Sequence, residues 1–468
     1  MNPSMKKYIP YILLAILAAA CNKELDLRPS DTIDPTGAYQ NADDINKGLM
    51  GAYSALSYYS SIYYTSLVTD ETVLPSDNVA GRGAVTRRWQ YDGTLLHEAW
   101  KDNYIAIDRL NRALYAAGQM TAPSQQDLLK QYKGELLALR AYCHFELIRN
   151  FASKYETQAK GVPFMESSVI GAPARLLFAA TMEKINVDLT QAKGLIPSEF
   201  NDRTRITLPA VSALQARVAL YEKNWDNAIK YAAEAIAALP LASKTEFPQL
   251  WKDKSTAEIF WKLKRVSGDE EIGGLYTDTG YLDNPEGTMV YYAASYKLTN
   301  EFDQANDIRF SSYIDINARR KNDGKAPNVV VKYMSSNGSN LVDIKLLRTG
   351  EMYLIRAEAY AEKNNLAEAA KDLNDLRAAR ITAYAPQQFA DKDALIDAIY
   401  TERFKELAFE GHRHFDLRRR NRPILREGRD TINTLGAVLL RPDMPQYVFP
   451  IPNSELRVNP NMQQNDGY

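Results

Sequence analysis

With 468 residues, the chain exceeds what one compact core usually supports, so two lobes or an elongated repeat array is expected. Its 57 Lys and Arg against 58 Asp and Glu give a formal net charge of -1, which excludes an electrostatic footprint for nucleic acid or anionic lipid. Two cysteines in unlike settings, Cys21 and Cys143, exclude a disulfide framework, and 29 tyrosines, many in polar glycine-containing stretches, suit contact with a polar ligand.

Lys6 and Lys7 precede an apolar run from Tyr8 to Ala20, too short for a bilayer span, which needs roughly 20 residues. Residues 1–20 therefore read as a secretory signal. Ala18, Ala19 and Ala20 directly before Cys21 resemble a lipobox, although Ala18 stands where leucine is usual, and Cys21 is the expected site of lipidation. An acylated cysteine holds a protein at a membrane, each buried methylene contributing about 0.8 kcal/mol. Residues 21–40, with Pro29 and Pro35, read as a tether, and Asn22 to Asp26 looks like a lipoprotein export tag.

Helical spacing predicts elements over Ala42–Ser57, Trp100–Ala117, Gln125–Phe151 and Thr181–Ile196, with Cys143 a small core residue. Thr207–Leu239 has the cadence of a tetratricopeptide unit, two helices turning at Asn224-Trp225. Ser255–Lys264 alternates as a strand does. Two long stretches show neither period, Asp70–Asp92, which holds glycine, proline, three arginines, Trp89 and Tyr91, and Val266–Lys297, a polar stretch studded with Tyr276, Tyr281, Tyr291 and Tyr292; such loops are usually functional. A second hairpin follows from Leu346, with Leu347, Gly350, Leu354, Ala357 and Ala361 on one face, a turn at Asn364-Asn365, and Leu366, Ala369, Leu373 and Leu376 answering.

A third helix, about Asp393 to Glu410, stacks Glu402, Glu406 and Glu410 on one stripe, which destabilises it unless paired. Arg348, Arg356, Arg377, Arg380, Arg403, Arg413, Arg418 and Arg419 are at hand, so an ion-pair clamp is expected. The competing reading is a carboxylate pair for glycoside hydrolysis, but such carboxylates face each other across a cleft and these share one stripe. No P-loop, nucleophile elbow, H-E-x-x-H or paired C-x-x-C is present, and His412 and His414 lack a third ligand nearby, so no catalytic residue, cofactor or metal is assigned.

The segment ER-x-x-EL-x-FEG-x-R-x-x-DLRR, Glu402 to Arg419, resembles the signature of the SusD/RagB family of surface lipoproteins. Trp100, Tyr104, Ile107 and Asn111, then Glu135, Arg140, Tyr142 and Phe145, then Asn300–Arg309, Val331–Tyr333 and the proline-rich tail NPN-x-x-QN-x-GY resemble it in the same order; Ala152–Gly161 departs from it. The resemblance implies a mostly helical, all-α fold of tetratricopeptide-type repeats with an irregular loop-rich lobe and a few short strands, divided into an N-terminal region (41–240) and a C-terminal region (255–468). It implies an outer-membrane, non-catalytic protein that captures an oligosaccharide, or in some relatives a peptide, for a SusC-like TonB-dependent transporter. Asp77, Asn78, Arg87, Trp89, Tyr91, Tyr276 and Tyr281, in the two irregular loops, are the candidate ligand contacts: rings for sugar faces, Arg and Asn for hydroxyls. A pure tetratricopeptide-type scaffold binding a protein partner is the alternative.

Overall fold

The computed structural model describes residues 37–94, 97–322 and 325–468. The signal segment, Cys21 and residues 21–36 of the tether lie outside them. Helices of seven residues or more are α1 (Ala42–Ala55), α2 (Tyr59–Val68), α3 (His97–Gln119), α4 (Gln126–Phe151), α5 (Phe178–Leu195), α6 (Leu208–Glu222), α7 (Trp225–Ala238), α8 (Thr349–Glu362), α9 (Leu366–Arg380), α10 (Lys392–Glu406) and α11 (Arg413–Arg419). Asparagine and aspartate set several starts: the side chains of Asn41, Asn224 and Asp391 accept from the N–H of Asp44, Asn227 and Ala394, satisfying donors a helix leaves open.

Apart from α2, the helices stack in chain order, α1 on α3 and then each on the next through α9, with α10 also against α8. Both predicted hairpins form, and their turns use left-handed residues, Lys223 at φ 57° and Asn364 at φ 65°. Small side chains allow the close approach: Ala216, Ala228, Ala232, Ala235, Ala357, Ala361 and Ala369 are fully buried. The family-like positions interlock here too. Arg140 forks Asp188 at 2.7 and 2.8 Å and takes the Asn111 amide oxygen at 3.0 Å, Glu135 receives Arg205 at 2.6 and 2.8 Å, and Cys143 is a fully buried free thiol.

The strands are short. One antiparallel sheet runs β1 (Thr72–Val73), β3 (Ala293–Ala294), β5 (Asn328–Val330), β4 (Ile314–Ile316), and a second pairs β2 (Ile259–Leu263) with β6 (Ile344–Arg348). A third pair, β7 (Ile424–Leu425) and β8 (Leu439–Leu440), closes a hairpin. Because β6 runs directly into α8, Arg348 sits at their junction, inside the molecule.

The expected clamp is there, with a different roster. Arg348 donates to Glu258 at 2.7 Å, Glu406 at 2.9 Å and both oxygens of Glu410 at 2.7 and 2.9 Å; Arg380 bridges Glu258 and Glu406; Arg309 joins Asp307, Glu402 and Glu406; Arg377 holds Glu402 at 2.6 Å. Gly350 admits this network, since a Cβ there would overlap the Glu406 carboxylate. Arg356, Arg403, Arg413 and Arg419 pair elsewhere, with Asp372, Asp416, Asp70 and Glu358, while Arg418 donates to the carbonyls of Arg149 and Ala152. Burial pushes the Glu402 carboxyl up, but Arg309, Lys405 and Arg377 override it and hold it at about 2.

Two boundaries differ from expectation. The charged helix α10 stops at Glu406, because the chain turns through Phe409 at φ 65° and Gly411 at φ 77°, and Glu410 reaches the clamp from that turn. The proline-rich tail is not wholly extended: Pro445–Tyr447 is a 3-10 turn and Asn453–Val458 a short helix entered from Pro452, where a missing N–H costs nothing. The rest straps the surface, Asn465 donating to the carbonyls of Phe151 and Phe449 and Asn459 to that of Pro173.

Candidate functional site

The two irregular loops are hydrogen-bonded to each other. Thr72 pairs with Ala294 and Val73 with Ala293 across β1 and β3, the Val290 N–H donates to Asp77 at 3.0 Å, and the Asn78 amide donates to the Tyr291 carbonyl at 3.1 Å. They close over α2, whose Tyr-rich sequence has no polar face: residues 64–68 are all buried.

The seven candidate side chains turn inward, and two of them, Asp77 and Asn78, join the loops to each other. Arg87, fully buried, donates to the carbonyls of Thr69 (2.9 Å), Leu67 and Asp430. The Trp89 indole donates to the Val68 carbonyl at 2.9 Å, and the Arg426 guanidinium lies 4.2 Å from the ring centroid on its face. Tyr91 is 2% exposed and donates to the Gln446 carbonyl. Tyr276, 1% exposed, stacks on Tyr333 and shares a 3.1 Å bond with Ser66; Tyr281, 1% exposed, donates to Asp315 at 2.6 Å. Asp77 is paired with Arg320, and Asn78 clamps the chain at Arg82. These contacts use most of the hydrogen-bonding groups and ring faces of the seven, and the two atoms left without a partner, Asp77 Oδ1 and Arg87 Nε, are buried. Trp89→Ala is therefore expected to cost about 3–5 kcal/mol of stability, as a large-to-small core change does, while a folded sample keeps its ligand affinity within twofold; urea unfolding and calorimetry on one preparation check both.

What the junction presents to solvent is a different set. Tyr59 and Tyr63 of α2 are partly exposed and stacked at 6.1 Å, and Tyr63 meets Tyr292 edge to face. Tyr291 is partly exposed, its hydroxyl 2.6 Å from the exposed Asp278 carboxylate, and the exposed Arg82 guanidinium lies 4.8 Å from the Tyr291 ring centroid. Arg82 also donates to the Tyr59 hydroxyl at 3.0 Å and the Gly274 carbonyl at 3.3 Å. Rings flanked by donors and acceptors form a surface that can stack against a pyranose and bond its hydroxyls. Tyr291 stood out in the sequence only as one tyrosine among several; the Gly81-Arg82-Gly83 triplet was the available signal for Arg82.

Beneath this face, Glu71 is a buried carboxyl, accepting from the Phe409 N–H at 2.7 Å and the Ser66 hydroxyl at 3.0 Å; burial pushes it up to about 7 against those bonds. A carboxyl raised on folding stabilises the native state below its unfolded value of about 4.3, and that contribution is lost as pH climbs toward 7. Glu71→Gln is thus expected to gain stability relative to the parent chain between pH 4 and pH 8, read from urea midpoints at each pH; a constant difference across that range refutes the assignment.

Other grooves lie elsewhere among the described residues. One of about 650 Å3 is lined by Phe178, Glu183, Asn186 and Glu222, and one of about 1280 Å3 by Tyr39, Arg112, Tyr115 and Val169. The acidic stripe does not reach any of these surfaces: Glu402 and Glu406 are fully buried among arginines. His412 and His414 are buried as well, and burial holds both well below the usual histidine range.

Residues 284–468 match the family model described as SusD family, and residues 25–220 match one described as starch-binding associating with outer membrane. SusD-like protein P25 of Formosa agariphila is 22% identical over 529 aligned residues, 99% of this chain and 98% of that protein. The starch-binding protein SusD of Bacteroides thetaiotaomicron is 34% identical over 133 residues, 27% of this chain and 22% of its own. Among solved structures, a SusD superfamily protein from Bacteroides thetaiotaomicron superposes with a TM-score of 0.79 at 24% identity, covering 91% of this chain and 99% of that one. A laminarin-binding SusD-like protein superposes with a TM-score of 0.72 at 20% identity over 92% of this chain and all of its own. With two family models spanning both halves and relatives aligned end to end, this chain belongs to the SusD/RagB family of outer-membrane-associated proteins.

Proposed function

We propose that the protein captures an oligosaccharide at the cell surface and delivers it, unaltered, to a SusC-like TonB-dependent transporter in the outer membrane. The observation that carries this reading is the exposed face of Tyr59, Tyr63, Arg82, Asp278 and Tyr291 at the junction of the two irregular loops. Glycan binding by relatives, starch in one and laminarin in another by their names, supports the ligand class. In this reading residues 1–20 are removed on export, Cys21 carries the lipid, residues 21–40 form the tether, and the regions 41–240 and 255–468 build the scaffold and loops. The helical stack would dock on the transporter. Catalysis has no part in it, since Glu406 is sealed among guanidiniums and has no access to a substrate.

Calorimetric titration of the chain from residue 22 onward, which holds every described residue, against a glycan panel tests this. Tyr291→Ala is expected to weaken the glycan that binds at least tenfold, as loss of a stacking ring does, with the unfolding midpoint nearly unchanged. Unchanged affinity would remove this face from the site.

A further inference from the structure

The turn at Arg82 is held more firmly than an exposed loop residue requires. The Asn78 side chain accepts from the Arg82 N–H at 3.0 Å and donates to its carbonyl at 3.0 Å, and the Tyr292 hydroxyl donates to the same carbonyl. Gly81 and Gly83 flank it at φ 63° and 71°, in the left-handed region, and a Cβ on Gly83 would overlap the hydroxyls of Tyr292 and Tyr63. The guanidinium that results is positioned by the Tyr59 hydroxyl, the Gly274 carbonyl and the Tyr291 ring, none of which carries charge. Exposed arginines of this chain differ in this respect: Arg112 is paired with Asp108 at 2.8 Å, Arg319 with Glu286 at 2.9 Å and Arg441 with Asp443 at 3.0 Å, whereas Arg109, like Arg82, donates to a backbone carbonyl. The carboxylates nearby are engaged elsewhere, Asp278 by the Tyr291 hydroxyl and Glu270 by Ser57 and Arg265. Among the described residues Arg82 is therefore an oriented fork with no carboxylate paired to it.

From this geometry we infer that the face takes an anionic sugar, its carboxylate or sulfate received by Arg82 while the pyranose lies against Tyr291 and Tyr59. The inference rests on the reading of this face given above and narrows its ligand class. A guanidinium presents paired N–H groups that match a carboxylate or two sulfate oxygens, and a fork already fixed by its neighbours loses little freedom when it binds. Because the site is exposed, the attraction is screened by salt.

The test titrates the chain from residue 22 onward, by calorimetry in 50 mM and 500 mM NaCl, with trigalacturonate, with its methyl ester as the neutral counterpart, and with a sulfated galactan oligosaccharide and its desulfated form. The expected result is that at least one anionic probe binds tenfold or more tighter than its neutral counterpart, that high salt narrows the gap, and that Arg82→Gln closes it while Arg82→Lys retains part of it. Preference for the uronate alone or the sulfated probe alone names the anion. Equal binding of charged and neutral probes, or an Arg82→Gln loss that is the same for both, overturns the anionic assignment and leaves the face as a glycan site. Absence of binding by every anionic probe also overturns it. If in addition Tyr291→Ala does not change the titration of a neutral glycan that does bind, the reading of the face falls with it.

Discussion

Arg348→Ala is expected to lower the unfolding free energy by about 4 kcal/mol, among the largest losses a single substitution in this chain can produce. The guanidinium of Arg348 is 1% exposed and reaches Glu258, Glu406 and Glu410 at 2.7 to 2.9 Å, tying the residue before β2, the end of α10 and the turn after it to the β6–α8 junction. Its removal leaves carboxylates that are desolvated and short of a cation. Arg380 and Arg309 remain on Glu406 and Lys332 on Glu410 at 2.7 Å, which keeps the loss finite. The size of the effect measures the stranded charge rather than the net worth of the pairs, which burial offsets. Urea unfolding followed by circular dichroism at pH 7 reads it; a loss under about 1 kcal/mol would mean that the clamp is not what fastens the C-terminal segment.

Gly83→Ala is expected to remove most ligand binding, tenfold or more, while lowering stability by only about 1–3 kcal/mol. Both the left-handed backbone at φ 71° and the space beside Tyr292, Tyr63 and Leu67 demand glycine, so a methyl group pushes apart the rings that hold the turn. Gly81→Ala is the internal control. It shares the left-handed backbone at φ 63°, but its Cβ would meet only Ala84 at 3.8 Å, so it bears the conformational cost without displacing the aromatic platform. Calorimetry and thermal melts of the two variants separate the cases. Affinities equal to the parent chain's in both variants would show that the Arg82 turn takes no part in binding.

The helical scaffold was legible because its signals are local. Apolar spacing and the turns at Asn224 and Asn364-Asn365 mark each hairpin, and a stripe of three glutamates demands arginines. The partners of that stripe were only partly legible. Arg309 and Glu258 come from segments with no helical pattern to draw attention to them, and the turn at Phe409 ends α10 four residues before Glu410. The loops were located by their lack of period, yet which of their side chains face solvent was not encoded there. Trp89 and Tyr276 read as exposed rings in polar loops, but both bond α2, Trp89 beneath Arg426 and Tyr276 against Tyr333 and Phe409, and a contact such as Tyr276 with Ser66, more than 200 positions apart, leaves no local trace. Only the flanking glycines of Arg82 carried a local sign of the presented turn.

A crystal structure of the chain with an oligosaccharide selected by calorimetry shows whether ligand binds at the junction of the two loops. A sugar ring is expected against Tyr291 and Tyr59, with hydroxyl or acidic oxygens accepting from Arg82 and sugar hydroxyls donating to Asp278. A sugar seated instead in the groove beside Asn186 and Glu222, or in the one beside Tyr39 and Tyr115, with the junction empty, would contradict it.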